Sequence, residues 1–195
     1  MNVLTNAIII LLAYLIGSIP FALVIGKGFY KTDVRKHGSG NLGATNTFRT
    51  LGKKAGIIVL IGDIAKGSLA VCLPLMMNSH LHMLVPGFIA ILGHSYPVFA
   101  RFKGGKSVAT AAGVFLAFSP LAFILGILAF LISLKISKYV SLSSPIGALV
   151  AFLTSIYVGD VVLMVFAAII FVFITWKHIK NFKRIKLGTE PKVNF

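Results

Sequence analysis

Long apolar runs separated by short, glycine-rich and basic segments set the rhythm of this chain. No charged residue occurs from Asn2 to Gly26 or from Leu81 to Ala100, and each run is long enough for the roughly 20 residues that cross a hydrocarbon core as a helix. Ala55 to Met77 reads as a third span although it carries Asp63 and Lys66; their i,i+3 spacing puts them on one helix face, where they neutralise each other toward the bundle interior. The uncharged stretch between Lys106 and Lys135 is too long for one comfortable helix and is interrupted by Ser119-Pro120, so it predicts two short helices in a hairpin that turns at that dipeptide. Pro145 to Val158 and Val161 to Trp176, joined at Gly159-Asp160, complete the set. The pattern predicts an all-α, polytopic membrane bundle of about seven transmembrane helices, the last four short for a typical bilayer core.

Charge orients that bundle. Every Lys and Arg except Lys66 falls in one of four segments, 27–54, 101–106, 135–138 and 177–192, and the hairpin puts all four on one side, whereas a single long span after Lys106 would split them. The positive-inside rule then places the N-terminus outside and the C-terminus in the cytoplasm. A hydrophobic fraction of 57%, a mean hydropathy of +0.96 and only four acidic residues exclude an ordinary water-soluble domain. With no linker or low-complexity stretch, residues 1–195 read as a single membrane domain. The first apolar run has no basic segment before it and no small-residue cleavage site, so it is expected to be retained. The net charge of +15 sits in membrane-flanking loops without interleaved aromatics, which favours anionic lipid and phosphorylated substrates as partners over nucleic acid. One cysteine, Cys72, in the middle of a span, rules out a disulfide framework and disfavours a thiol nucleophile.

The polar segments, read as loops between the spans, carry the chemistry. The first runs Lys36-His37-Gly38-Ser39-Gly40-Asn41-Leu42-Gly43-Ala44-Thr45-Asn46 and on to Arg49 and Gly52. Its glycines let backbone amides turn toward an anion, while Ser39, Asn41, Thr45 and Asn46 offer neutral hydrogen bonds. The second contains Gly93-His94-Ser95 and then Phe102-Lys103-Gly104-Gly105-Lys106-Ser107. The third is Lys138-Tyr139-Val140-Ser141-Leu142-Ser143-Ser144-Pro145, read as a loop whose Ser143 or Ser144 caps a helix with Pro145 at its first position. Each segment leads into a helix whose N-terminal amides attract anions, and Arg49, Lys103 and Lys106 stand ready to hold phosphate. After the last span, His178, Asn181 and Arg184 recur every three residues and form one polar face on a continuing helix. Lys103-Gly104-Gly105-Lys106-Ser107 lacks the leading glycine of a nucleotide-binding P-loop and follows a membrane helix. His37, His80 and His82 stand without carboxylate or Cys partners, so no metal or cofactor is expected.

These segments together resemble a known family. Ser39-Gly40-Asn41-x-Gly43-Ala44-Thr45-Asn46-x-x-Arg49-x-x-Gly52 is similar to the first motif of the bacterial acyl-phosphate-dependent glycerol-3-phosphate acyltransferases, small integral membrane enzymes. Gly93-His94 through Lys106, Val140-Ser141-Leu142-Ser143-Ser144, and His178-x-x-Asn181-x-x-Arg184 with Gly188-Thr189-Glu190 match in the same order, across essentially the whole chain. Ser107, where the family more often has Gly, and Lys177 depart from the pattern.

The resemblance implies transfer of a fatty acyl group from an acyl phosphate to the 1-hydroxyl of sn-glycerol 3-phosphate. The products are lysophosphatidic acid and inorganic phosphate, formed at the cytoplasmic face of the bacterial inner membrane. An acyl phosphate is already activated, so no covalent acyl-enzyme is required. On this reading Arg49, Lys103 and Lys106 bind and neutralise phosphate, with Gly40, Asn41, Gly43, Thr45, Asn46, Gly104, Gly105 and Arg184 completing the binding set. Ser39, Ser143 and Asn181 orient the phosphate, and His178 binds phosphate or accepts the hydroxyl proton; a substrate phosphate oxygen is the alternative base. The enzyme that supplies acyl phosphate is a further expected partner. No His is followed four residues later by Asp, as is common in thioester-dependent acyltransferases. The competing readings are an organophosphate transporter, which usually carries its polar groups near the midplane, and a lipid-binding structural protein.

Overall fold

The structure, a computed structural model, describes residues 3–193. Asn2, the first residue of the first predicted span, and the last two positions of the predicted domain lie outside the described residues. Among the described residues the chain forms ten α-helices, two short 3-10 turns and no strand. They divide into two compact units between Phe118 and Ser119. The first holds α1 (Val3–Ser18), α2 (Phe21–Tyr30), α3 (Ala44–Leu51), α4 (Lys53–Met76), α5 (Leu84–Ser95) and α6 (Val108–Phe118); the second holds α7 (Pro120–Ser137), α8 (Val140–Val158), α9 (Val161–Lys177) and α10 (Ile179–Lys186).

In the first unit α4 packs along α6, and α1 along α5. Water does not drive such pairing inside a bilayer; close approach through small residues does. A Cβ added to Gly113 would run into the backbone of Ile64, and one added to Gly67 into Thr110 O, so the α4–α6 contact depends on bare glycine surfaces. In the second unit α7 packs on α8 at Gly126 and Gly147, where an added Cβ would stand 3.0 Å and 2.8 Å from the facing carbonyl oxygen. Leu11, Ile61, Leu131, Ile132 and Val172 point outward and exposed, as hydrocarbon solvent requires.

Helices α4, α7 and α8 are each long and apolar enough to cross a membrane, and the bent pairs α1/α2 and α9/α10 raise the number of candidate spans to five. The apolar helices α5 and α6 are shorter. The break read at Ser119-Pro120 is present: α6 ends at Phe118, and Pro120 opens α7 at a position where its missing amide costs nothing.

Four expectations are corrected. The first run is two helices bent by 45°, because Pro20 has no amide to continue α1; its carbonyl instead accepts the first hydrogen bonds of α2 from Leu23 (2.8 Å) and Val24 (3.0 Å). The first polar segment is not loop throughout: Ala44–Leu51 is helical, seating Phe48 against Gly56 of α4 and ending at Gly52, φ +86°. The third segment is not a loop before Pro145, because α8 begins at Val140 and includes that proline. Its serines back-bond to the preceding turn, Ser144 Oγ to Val140 O (2.8 Å) and Ser143 Oγ to Tyr139 O (2.9 Å). Two of the last four helices are also longer than expected: α7 and α8 run to 18 and 19 residues, and neither is short.

Candidate functional site

The first polar segment is organised by one buried amide. Asn46, on α3 and 2% exposed, donates from Nδ2 to Val34 O (3.0 Å) and His37 O (3.2 Å) and accepts the Ser39 amide on Oδ1 (2.9 Å). Gly38 and Gly40 take φ of +58° and +69°, which side chains rarely adopt. Asn41 Oδ1 accepts the Gly43 amide (2.9 Å) just before α3 begins. Ser39 and Arg49 are left exposed, and Thr45 is half-buried. Ahead of this turn, Arg35 grips Asp33 through two bonds, 3.0 and 2.6 Å, with Lys27 at 3.6 Å. The Arg35 hydrogen bond holds the Asp33 carboxyl well below the usual carboxylate range.

The second segment folds back on the end of α5. The Gly105 amide donates to His94 O (3.1 Å), and the Ser95 hydroxyl reaches Gly105 O (3.3 Å) and Ser107 Oγ (2.8 Å). Ser107, at φ +60°, donates to Ile91 O (2.8 Å). An added Cβ at Gly104 would strike His94 O and one at Gly105 would strike the His94 ring; both glycines are there because the loop lies directly on the helix end. Lys103 is exposed and Lys106 half-buried. A crevice is lined by Leu42 from the first segment and Gly104 and Gly105 from the second, together with Asp63, Lys66 and His94.

In the second unit the polar groups gather on Glu190, which is 6% exposed. Its Oε1 accepts from Ser141 Oγ (2.8 Å) and Asn181 Nδ2 (2.7 Å), and its Oε2 from Arg184 Nε (2.7 Å). Burial pushes the Glu190 carboxyl up, but the three donors outweigh it and hold the group below the ordinary glutamate range. His178 is buried at the 49° bend between α9 and α10, its Nδ1 2.8 Å from Ile174 O. The polar face read on a continuing helix is thus interrupted: Asn181 and Arg184 share α10, and His178 precedes it. Ser143 is fully buried, its Oγ 3.1 Å from Ser133 Oγ.

Two features escaped the sequence reading. His94, read as part of the second segment at the end of a span, is a partner of Asp63 and Thr110, its Nδ1 3.4 Å from Asp63 Oδ1 and 3.1 Å from Thr110 Oγ1; the signal was a histidine closing an otherwise apolar helix. Glu190 was read only as part of a motif, yet it organises its unit. As one of four acids in a chain with 19 Lys and Arg, it could have been singled out by rarity.

Comparison with known proteins covers both units. The model of the glycerol-3-phosphate acyltransferase family matches residues 7–188. A glycerol-3-phosphate acyltransferase of Listeria monocytogenes is 55% identical over 188 residues, 95% of each chain, and one of Geobacillus kaustophilus 53% identical over 191 residues, 97% of each. The crystal structure of PlsY (YgiH), an integral membrane glycerol 3-phosphate acyltransferase, in its glycerol 3-phosphate form superposes with a TM-score of 0.90 at 38% identity, covering 96% of this chain and 95% of that one. Its lysophosphatidic acid form gives 0.87 over the same shares.

Proposed function

Because the chain belongs to the glycerol-3-phosphate acyltransferase family, we propose that it transfers a fatty acyl group from an acyl phosphate to the 1-hydroxyl of sn-glycerol 3-phosphate. It is an integral membrane glycerol-3-phosphate acyltransferase; the donor, the products and the residue roles are our reading. The observation that carries it is that Leu42 of the first glycine-rich segment and Gly104-Gly105 of the second line one crevice, with Arg49, Lys103 and Lys106 in the sequence of those segments and no carboxylate on either. Amide-rich turns and cations at the end of apolar helices suit two phosphorylated substrates, one with a hydrocarbon tail.

The hydroxyl oxygen attacks the acyl carbonyl, the carbonyl-to-phosphate C–O bond breaks, and phosphate leaves with the electron pair. The hydroxyl proton passes to His178 or to a phosphate oxygen. Arg49, Lys103 and Lys106 neutralise phosphate, with Gly40, Asn41, Gly43, Thr45, Asn46, Gly104, Gly105 and Arg184 completing the binding set. Ser39, Ser143 and Asn181 orient it, so positioning and charge neutralisation supply the acceleration. The mixed anhydride is activated already, and no acyl-enzyme forms. The products are lysophosphatidic acid and inorganic phosphate. The basic segments support a topology of about seven spans with the N-terminus outside and the site facing the cytoplasm of the bacterial inner membrane, within reach of the enzyme that supplies acyl phosphate.

The test is purified protein given palmitoyl phosphate and glycerol 3-phosphate, with released phosphate and lysophosphatidic acid both measured. Product that needs both substrates and is lost in Lys106→Ala supports the assignment. Turnover with an acyl thioester and none with acyl phosphate overturns the donor; normal turnover in folded Lys106→Ala overturns the site.

A further inference from the structure

A polar node forms part of the crevice wall, inside the first unit. Asp63 and Lys66 of α4 are 1% and 4% exposed, with Nζ 2.8 Å from Oδ1. The ammonium also donates to Ile19 O (2.9 Å), at the break between α1 and α2. His94 of α5 brings Nδ1 to 3.4 Å from the same Asp63 oxygen and 3.1 Å from Thr110 Oγ1 of α6. The opposite edge of its ring abuts Gly105, and its carbonyl holds the Gly105 amide at 3.1 Å. Asp63 Oδ2 is buried and has no hydrogen-bond partner among the described residues.

A buried ion pair adds little net stability over apolar side chains of similar volume, so packing alone gives little reason to keep one here. This pair spends its contacts on two non-helical places within the first unit: the α1/α2 break and, through His94, the glycine segment before α6. We propose that Asp63, Lys66 and His94 are positioning residues for substrate phosphate. They fix Gly104-Gly105, and hence the Lys103 and Lys106 that flank it, without touching the substrate themselves. The inference rests on the reading that Lys103 and Lys106 hold phosphate. If the imidazole loses its orientation, Gly105 loses the surface it lies on, and the flanking lysines no longer share one geometry.

The test compares Asp63→Asn, Thr110→Val and Lys106→Ala with the parent enzyme in detergent. Each variant is assayed for KM and kcat with glycerol 3-phosphate, inhibition by inorganic phosphate, and thermal unfolding. Thr110→Val keeps the side-chain shape and the buried ion pair, removes only the bond to His94, and decides the matter if Asp63→Asn does not fold. The expected result is a rise in KM of roughly fivefold for Thr110→Val and roughly tenfold for Asp63→Asn. Phosphate inhibition should weaken in parallel, with kcat within about twofold and folding retained. An unchanged KM in folded Thr110→Val, or a loss confined to kcat, while Lys106→Ala is inactive, overturns the positioning role and leaves the phosphate site standing. Normal kinetics in Lys106→Ala overturns the phosphate site itself.

Discussion

Glu190→Gln keeps the side-chain volume and removes one charge from the polar cluster of the second unit. The carboxylate accepts three hydrogen bonds, two on Oε1 and one on Oε2. Glutamine can still accept from Ser141 and Asn181, but its amide nitrogen then faces Arg184 Nε, donor against donor. A hydrogen bond to a charged group contributes about 1.5–3 kcal/mol when shielded; Arg184 is 41% exposed, so solvent screening brings that loss toward about 1 kcal/mol. The two bonds that remain fall from charge-assisted to neutral, at a further cost of about 1–2 kcal/mol together. A total of about 2–3 kcal/mol lowers the melting temperature by roughly 5–10 °C for a protein of this size. Trp176, the sole tryptophan, lies in α9 of the same unit and reports the transition by fluorescence. The pH dependence is a second check. Because the folded-state carboxyl sits below its ordinary value, its stabilisation is complete above about pH 4.3 and is lost as pH falls through the folded value. The gap between parent and variant should therefore close as the medium is acidified. A shift under about 1 °C at neutral pH, or a gap that widens in acid, refutes the reasoning.

Three further outcomes follow from contacts elsewhere. Asn46→Ala removes three hydrogen bonds that shape the first segment and is expected to raise KM for glycerol 3-phosphate roughly tenfold or more, measured by steady-state kinetics in lipid. Gly113→Val drives a branched side chain into the backbone of Ile64, so unfolding monitored through alkylation of Cys72 in α4 should come several degrees earlier, whereas Gly28→Val, with open space around it, should not change it. Binding of glycerol 3-phosphate, followed by calorimetry, should weaken with added salt and with inorganic phosphate, because contacts from exposed cations are screened over a Debye length of about 8 Å at physiological ionic strength.

Apolar runs and the glycine-rich segments between them were legible because bilayer thickness and backbone freedom act locally. The break at Ile19-Pro20 was not, although Pro20 was in plain sight, since a proline in a long apolar run is compatible with a kinked continuous span. What makes a full break tolerable is Lys66 donating to Ile19 O, a contact across 47 positions that no local pattern carries. The same limit hid His94: its partners Asp63 and Thr110 come from different helices. At Ser143-Ser144-Pro145 a local rule misled, because serine before proline is a helix-start signal, yet these serines bond to the preceding turn inside α8. Arg49, Lys103 and Lys106 stand out as candidates from charge and glycine context alone, while Glu190 needed the tertiary structure to show that three donors converge on it.

All four acidic side chains have internal work. Asp33 holds Arg35, Asp63 meets Lys66, Asp160 caps α9 at the Leu163 amide, and Glu190 binds Arg184. Among the described residues, no acidic side chain is left over to swing toward the glycine segments and occupy their cations between turnovers. An acid introduced beside those segments, for example at Thr50 on α3, would act as a tethered competitor present at high effective concentration. Its inhibition would be relieved by raising substrate and by protonating the new carboxyl, which turns the scarcity of acids in this chain into a handle for making its activity respond to pH.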